Sequence, residues 1–191
     1  MAIDLVTLQE YKAYAGISST GQDTIIKSLI PKVSQLIKSL CNRTFVDWVD
    51  DAKVEVYSGG RGSKLYMREY PLLAISAVEY SADYGATYTE LVEYTDYVVD
   101  LEDNAIMNVL IGDWPKQING YKVTYTAGYE TLPQDLKLAV FDTISYYLRH
   151  DLAVHSTRNV GSSTVQIEYI TNVALPAHIT RVLNLYKGSY D

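Results

Sequence analysis

The chain's few histidines and its one cysteine are the first residues to consider for metal binding or acid–base chemistry. The histidines stand at positions 150, 155 and 178, and no spacing puts two ligands on one helix face. The single cysteine, Cys41, excludes an internal disulfide and a zinc site made of several thiolates. It follows an apolar helical stripe, which favours a small buried side chain over a reactive thiol.

Carboxylates cluster at Asp100, Glu102 and Asp103, followed by Asn104, and superficially suggest a calcium loop. Such a loop needs a glycine after its third alternate ligand and a glutamate at its far end, and both are absent. A solvated turn between two strands fits these residues better. The remaining carboxylates are too scattered for a general acid–base pair. We therefore predict no catalytic residue, no metal site and no cofactor, and a protein that is not an enzyme.

A glycine-rich loop surrounds one arginine: Gly59, Gly60, Arg61, Gly62. It resembles a phosphate-binding loop in its glycines alone, because the Gly-Lys-Ser/Thr ending and the following helix start are missing. We predict instead a hairpin of residues 53–57 and 64–67 with a mobile glycine-rich tip.

Composition sets limits on the fold and on the partners. The chain has 191 residues, 48% of them hydrophobic, and a net charge of −7, which predicts one domain with a real core. Proteins that bind duplex DNA need a basic face, so this charge argues against DNA binding. A negatively charged surface would instead repel the DNA phosphates, so that a duplex could slide past it without adhering. No apolar run is long enough for a bilayer, and the N-terminus lacks a signal-peptide pattern, so we expect a cytosolic product with no membrane step.

Tyrosine is the unusual component, with 18 residues against two phenylalanines and two tryptophans. A tyrosine can bury its apolar ring while its hydroxyl stays in contact with water, which suits half-buried strands and subunit interfaces. The alternative interpretation is that tyrosine stands in for phenylalanine on strand faces.

Periodicity predicts helices at both ends of a β region. A capping box at Thr7 and Glu10 opens a short helix that Gly16 ends. A longer helix runs from 23 to 41, and Pro31 inside it should kink it or leave a carbonyl free. Pro133 begins the last long helix. Between the second helix and the last long helix, hydrophobic and polar residues alternate with a period of two. This alternation predicts strands at 74–80, 88–92, 97–101, 105–110 and 118–127.

The predicted fold class is α+β, in which two N-terminal helices and one long helix near 133–151 form a small bundle. We expect a single domain over 1–191, with helices in 7–42 and 133–151 and an inserted antiparallel β region at 53–127. A C-terminal arm over 152–191 completes it. In this arm residues 165–170 alternate like a lone strand, and Pro176 starts a final helix of about ten residues.

Several segments, in this order along the chain, resemble the signature of the head–tail connector (adaptor, or head-completion) proteins of long-tailed bacteriophages. They are residues 5–14, residues 23–30, the Arg43-Thr-Phe45 triplet, the strand–glycine–helix run of 123–149, and the final helix of 175–186. The resemblance covers most of the chain.

The resemblance implies a structural virion protein that forms a ring, usually of twelve subunits, beneath the portal. The ring would extend the DNA channel and offer a docking surface to the next tail-side or tail-completion protein. Double-stranded DNA would pass without specific binding, and no membrane would be involved. The protein would be made in the host cytoplasm and reside at the head–tail interface of the virion.

The resemblance also implies contact residues. Those expected to touch the portal or a neighbouring subunit lie in the C-terminal segment: Val165, Ile167, Tyr169, Pro176, Ile179, Arg181, Tyr186, Lys187. The loop from Gly59 to Gly62, with Arg61 repeated around the ring, is the expected lumen or tail-side contact.

Other functions remain open at this point. A tyrosine-rich β module could stack sugar rings on exposed aromatic side chains and bind carbohydrate or a host surface. A tail-completion role would use the same kind of fold. A small hydrolase would require a pocket that joins Cys41 or a histidine to a carboxylate.

Overall fold

A computed structural model describes residues 3–60, 62–109, 112–156 and 175–188, and of residues 150–156 the backbone alone. The chain forms two compact units. The helical unit comprises residues 4–42 and 133–187, and the β unit comprises residues 43–132 with the chain ends. Helices and antiparallel sheets together confirm the predicted α+β class.

Four helices build the described part of the helical unit: α1 (Leu8–Ala15), α2 (Asp23–Cys41), α3 (Gln134–Ser156) and α4 (Ala177–Leu185). The capping box that opens α1 is present, because the Glu10 amide donates to the Thr7 hydroxyl and the Glu10 carboxylate accepts from the Thr7 amide. Gly16 ends α1 in a left-handed conformation, as predicted.

The second helix continues through Pro31 without a break. Pro31 lies on the exposed side, where water can satisfy the carbonyl that the missing amide leaves unpaired. The periodicity predicted the buried stripe on the opposite side only in part: Ile26, Val33 and Ile37 are buried as expected, together with Ile30 and Cys41. Ile25 and Leu40, which the same periodicity assigned to the stripe, are 43% and 44% exposed.

The third helix is longer than predicted and ends at Ser156 instead of near 151. Its buried residues Leu136, Val140 and Ile144 face the interior of the helical unit, where Ile179 and Leu183 of α4 are also buried. The Cys41 thiol contacts the Leu183 carbonyl at 3.5 Å, so α4 also packs near the end of α2.

Seven strands form two antiparallel sheets in the β unit. They are β1 (Trp48–Tyr57), β2 (Lys64–Tyr66), β3 (Leu72–Tyr80), β4 (Thr89–Glu90), β5 (Tyr97–Asp100), β6 (Ala105–Asn108) and β7 (Tyr121–Ala127). One sheet has the order β1-β7-β3-β4 and the other the order β2-β6-β5. One apolar cluster draws residues from both sheets and includes Tyr57, Leu65, Val78, Ile106, Trp114, Val123.

The predicted hairpin of 53–57 and 64–67 is wrong. These strands lie in different sheets, where β1 pairs with β7 and β2 pairs with β6. Alternation identifies strands but carries no information on which strands pair across a long separation. The predicted pairing of the strands after Tyr97 and Ala105 is confirmed. The predicted strand at 88–92 shrinks to two residues, and the last strand begins at Tyr121 instead of 118.

Within the described residues, no helix is long and apolar enough to cross a membrane.

Candidate assembly site

The C-terminal helix presents two different faces. Ile179 is 1% exposed and belongs to the core of the helical unit, so its side chain cannot also be an accessible contact in this conformation. Arg181 is exposed, and so is Lys187 beyond the end of α4. Leu185, which the sequence reasoning did not select, is 75% exposed. The exposed residues of α4 therefore include the apolar Leu185 and, one turn before it, the cation Arg181, and a second cation, Lys187, follows the helix.

Tyr186 and Pro176 flank this helix. The Tyr186 hydroxyl donates to Asp135 at 2.6 Å, which fixes the end of α4 to the start of α3. Pro176 precedes the first helical residue, where its fixed φ angle favours helix entry. Both residues thus position α4 and leave parts of themselves accessible.

A groove of about 660 Å³ runs between α1, α3 and the start of α4. Its rim includes Tyr14, Asp142, Arg149 and His178. The Tyr14 hydroxyl donates to Asp142 at 2.8 Å, and the His178 ring nitrogen lies 3.5 Å from the same carboxylate. The hydrogen bond to Asp142 and burial raise the pKa of Tyr14, so its hydroxyl remains a donor. The groove thus combines aromatic walls with charges of both signs.

Four of the predicted contact residues lie outside the described residues. They are Val165, Ile167, Tyr169 and Arg61.

The glycines of the predicted lumen or tail-side loop have structural roles. The Gly59 amide donates to the Gln117 carbonyl at 3.0 Å, and the Gly60 amide donates to the Trp114 carbonyl at 2.9 Å. A Cβ atom on Gly59 would lie 1.9 Å from the Pro115 carbonyl oxygen. The loop is therefore bound to the segment before β7 and is not the free hairpin tip that the sequence suggested.

Two of the family-like segments meet in the β unit. The Arg43 side chain is buried and lies over the Tyr70 ring, with the guanidinium carbon 3.2 Å from the ring centroid. It also donates to the Tyr70 carbonyl, and the Phe45 carbonyl accepts from the Tyr129 amide at 2.7 Å. The Arg-x-Phe triplet therefore fixes the point at which the last strand leaves the sheet.

A buried carboxylate organises the core side of β1. The hydroxyls of Tyr57 and Tyr125 each donate to the same oxygen of Glu55 at 2.5 Å. Lys53 lies 2.9 Å from the other oxygen. Burial raises the pKa of Glu55, but the hydrogen bonds from Tyr125, Tyr57 and Lys53 outweigh burial and hold that pKa below its ordinary value. Burial and the adjacent carboxylate raise the pKa of both tyrosines. The cluster has the geometry of a structural network and no open space for a substrate.

The structure draws attention to an acidic stretch that the sequence analysis did not identify. Residues 69–115 contain ten carboxylates and no lysine or arginine. Lysines from outside the stretch reach only four of them: Lys53 pairs with Glu69, Lys64 pairs with Asp100 and Asp103, and Lys122 pairs with Glu79. A running count of charge along the chain would have found it.

In the described part of the chain, no three His, Cys, Asp or Glu side chains come together as metal ligands. The acidic segment from Asp100 to Asn104 forms the turn between β5 and β6, as predicted, and Lys64 neutralises two of its carboxylates.

Solved structures with the same fold come from particle necks. The neck of an empty gene transfer agent particle, computed with C6 symmetry, has a chain that matches with a TM-score of 0.59 at 15% identity. The match covers 97% of this chain and 90% of that chain. The neck of the native particle, computed with C12 symmetry, has a chain that matches with a TM-score of 0.54 at 14% identity, over 99% of this chain and 96% of that chain.

Sequence comparison gives a more specific result. No curated protein sequence matches the chain. A family model described as head completion protein matches residues 4–188, which spans both units and all the segments on which the resemblance rests. The chain therefore belongs to the head completion protein family.

Proposed function

We propose that the chain is a structural virion subunit of the head–tail connector, an adaptor that forms a ring beneath the portal. The observation that carries the proposal is the head completion family match over nearly the whole chain. The shared fold with chains of particle necks computed with C6 and C12 symmetry supports a ring, usually of twelve subunits. The ring extends the DNA channel and offers a docking surface to tail-side proteins. The protein is made in the host cytoplasm and ends in the virion.

The accessible surface of the helical unit supports a contact with the portal or with a neighbouring subunit. Arg181 and Lys187 provide cations beside the exposed Leu185. Protein interfaces commonly have an apolar core from which water is excluded and a polar rim that solvent reaches. An exposed apolar side chain close to charged ones fits this pattern. Pro176 contributes where it lines the groove. Ile179 acts indirectly, because it anchors α4 in the core.

The charge distribution supports passage of DNA without specific binding. Within residues 69–115, six carboxylates lack an ion pair to any described side chain: Asp83, Glu90, Glu93, Asp96, Glu102, Asp113. Such a surface repels phosphate and prevents a duplex from adhering to it. The loop from Gly59 to Gly62 is the candidate lumen or tail-side contact, with Arg61 as its cation.

Electron microscopy of DNA-filled, portal-bearing heads, with and without the purified protein, tests the proposal. We expect added density in the form of a ring directly beneath the portal. Density at the far end of the tail would indicate tail completion instead. A folded protein that associates with no heads would contradict the connector function.

A matched variant tests the C-terminal segment separately. Removing all residues after 152 would also remove α4, whose Ile179 and Leu183 are core residues. A loss of binding by that truncation could therefore result from unfolding alone. We therefore suggest replacing residues 157–174 with a Gly/Ser linker of equal length. The variant should remain folded but lose its association with heads. Retained association would contradict a role of this segment in docking.

A further inference from the structure

The edge of β1 is the least protected strand edge in the described part of the protein. β1 pairs only with β7, and residues 53–57 make no backbone hydrogen bond outside that pairing. The N–H and C=O groups that point away from β7 are therefore available to another strand. A bulge between Trp48 and Lys53 disturbs the first half of β1 and leaves 53–57 in regular register.

The other edges are protected in the ways that natural sheets use. In the first sheet the other edge strand, β4, has two residues and covers only the end of β3. The uncovered part of β3 has two register shifts, and the Asn104 side chain caps the Leu72 amide. Strands β2 and β5, which form the edges of the second sheet, have three and four residues. Among the strands that the structure describes, β1 alone combines length, regularity and exposed apolar side chains.

The exposed face of β1 is apolar where its edge is regular. Val54 is 58% exposed and Val56 is 39% exposed. Lys53, the lysine within the regular part of β1, does not guard the edge, because its ammonium group points to Glu55 and Glu69. Lys122, opposite Val56 on β7, is paired with Glu79. An exposed edge of this kind is a template on which a strand of another chain can pair.

We propose that residues 165–170 of a neighbouring subunit pair with residues 53–57 of β1 and so add a strand to the first sheet. This inference deepens the proposed function, because it names the joint between adjacent subunits of the ring. Val165, Ile167 and Tyr169 recur at every second position, so in a strand they share one face and can lie beside Val54 and Val56.

The choice of this segment as the occupant rests on symmetry and on length. A ring needs a head-to-tail contact in which two different surfaces of one chain meet, and a donor segment with an acceptor edge provides both. Pairing of β1 with a second β1 would instead close a twofold dimer and end growth. Residues 157–174 form an 18-residue connection, so residue 167 can lie roughly 25–30 Å from Leu175. The pairing therefore requires the β1 edge of the neighbouring subunit to lie within that reach of Leu175.

Cysteine cross-linking in trans tests the pairing without changing the fold of either unit. Protein carrying Val54→Cys is mixed in equal amounts with protein carrying Val165→Cys, Ile167→Cys or Tyr169→Cys, assembled on portal-bearing heads and mildly oxidised. We expect a disulfide-linked dimer from at least one of these mixtures and none from a mixture with Gln166→Cys, because side chains alternate between faces. Wild-type protein should give none, since Cys41 is buried.

A second acceptor position provides the control for chance encounters. Ala74 lies exposed on β3, at the protected side of the same sheet, so Ala74→Cys should form no dimer with any donor variant. Rings that form without cross-links to Val54→Cys, or with equal cross-links to Ala74→Cys, would overturn the inference and leave the proposed function intact. Failure of wild-type protein to form rings on heads would overturn both.

Discussion

The carbonyl oxygen of Phe45 lies directly against Gly128, where a Cβ atom would be only 2.4 Å away. The same carbonyl accepts the Tyr129 amide, so one oxygen fixes the exit from β7. Gly128 also has a φ angle of +123°, which residues with side chains rarely adopt. Two independent reasons therefore require glycine at position 128: the backbone has a positive φ angle, and a Cβ atom would collide with the Phe45 carbonyl oxygen.

Substituting Gly128→Ala should therefore lower the free energy of unfolding by about 2–3 kcal/mol. Urea denaturation followed by circular dichroism measures the change. Gly21→Ala is the matched control, because its Cβ would meet no atom within 4 Å. Equal stability of the two variants would contradict this account of the Phe45 contact.

Removing one donor to the buried carboxylate should also be costly. Tyr125→Phe deletes the 2.5 Å hydrogen bond to Glu55 and leaves the Glu69 amide without the hydroxyl that accepts it at 3.2 Å. We expect a loss of about 2 kcal/mol in the free energy of unfolding. Tyr66→Phe is the control, since Tyr66 is exposed and should lose less than about 0.5 kcal/mol.

The same carboxylate predicts how stability depends on pH. The pKa of Glu55 is lower in the folded protein than in the unfolded chain, where the ordinary value is 4.5. Its contribution is therefore complete above pH 4.5 and is lost as the pH falls through the folded pKa. Thermal midpoints measured from pH 7 to pH 3 should decline below about pH 5. Glu55→Gln should be less stable at pH 7 and show a smaller decline. A parallel decline would assign the acid sensitivity to other groups.

The two faces of α4 should respond differently to truncation. Ile179→Ala creates a cavity in the helical unit and should reduce the free energy of unfolding by about 3 kcal/mol. Leu185→Ala, on the exposed side, should leave stability unchanged but weaken association with heads by about tenfold, the equivalent of about 1.4 kcal/mol. Calorimetry and a head-binding titration separate the two effects. A Leu185 variant that binds normally would remove this side chain from the docking surface.

The sequence alone gave most of the local structure of the helical unit. The capping box at Thr7 and Glu10, the stop at Gly16 and the stripe of α2 all depend on residues within a few positions of one another. Such short-range patterns report directly on helix ends and helix faces. The alternation around Tyr97 and Ala105 likewise identified a hairpin because its turn is short.

Pairing between distant segments required the tertiary structure. β1 lies beside β7, nearly seventy residues later, and not beside β2. The glycines at 59 and 60 serve a close approach to the segment before β7, which no local pattern signals.

What the amino-acid sequence determined by itself was the class of fold, the helices and strands, and the order of segments that marks the head completion family. What only the tertiary structure decided was which side of each element faces a partner. It placed Ile179 in the core, left Leu185 exposed and left the edge of β1 unpaired. The physical reason is that periodicity depends on neighbouring residues, whereas burial and strand pairing depend on residues that folding brings together from far along the chain.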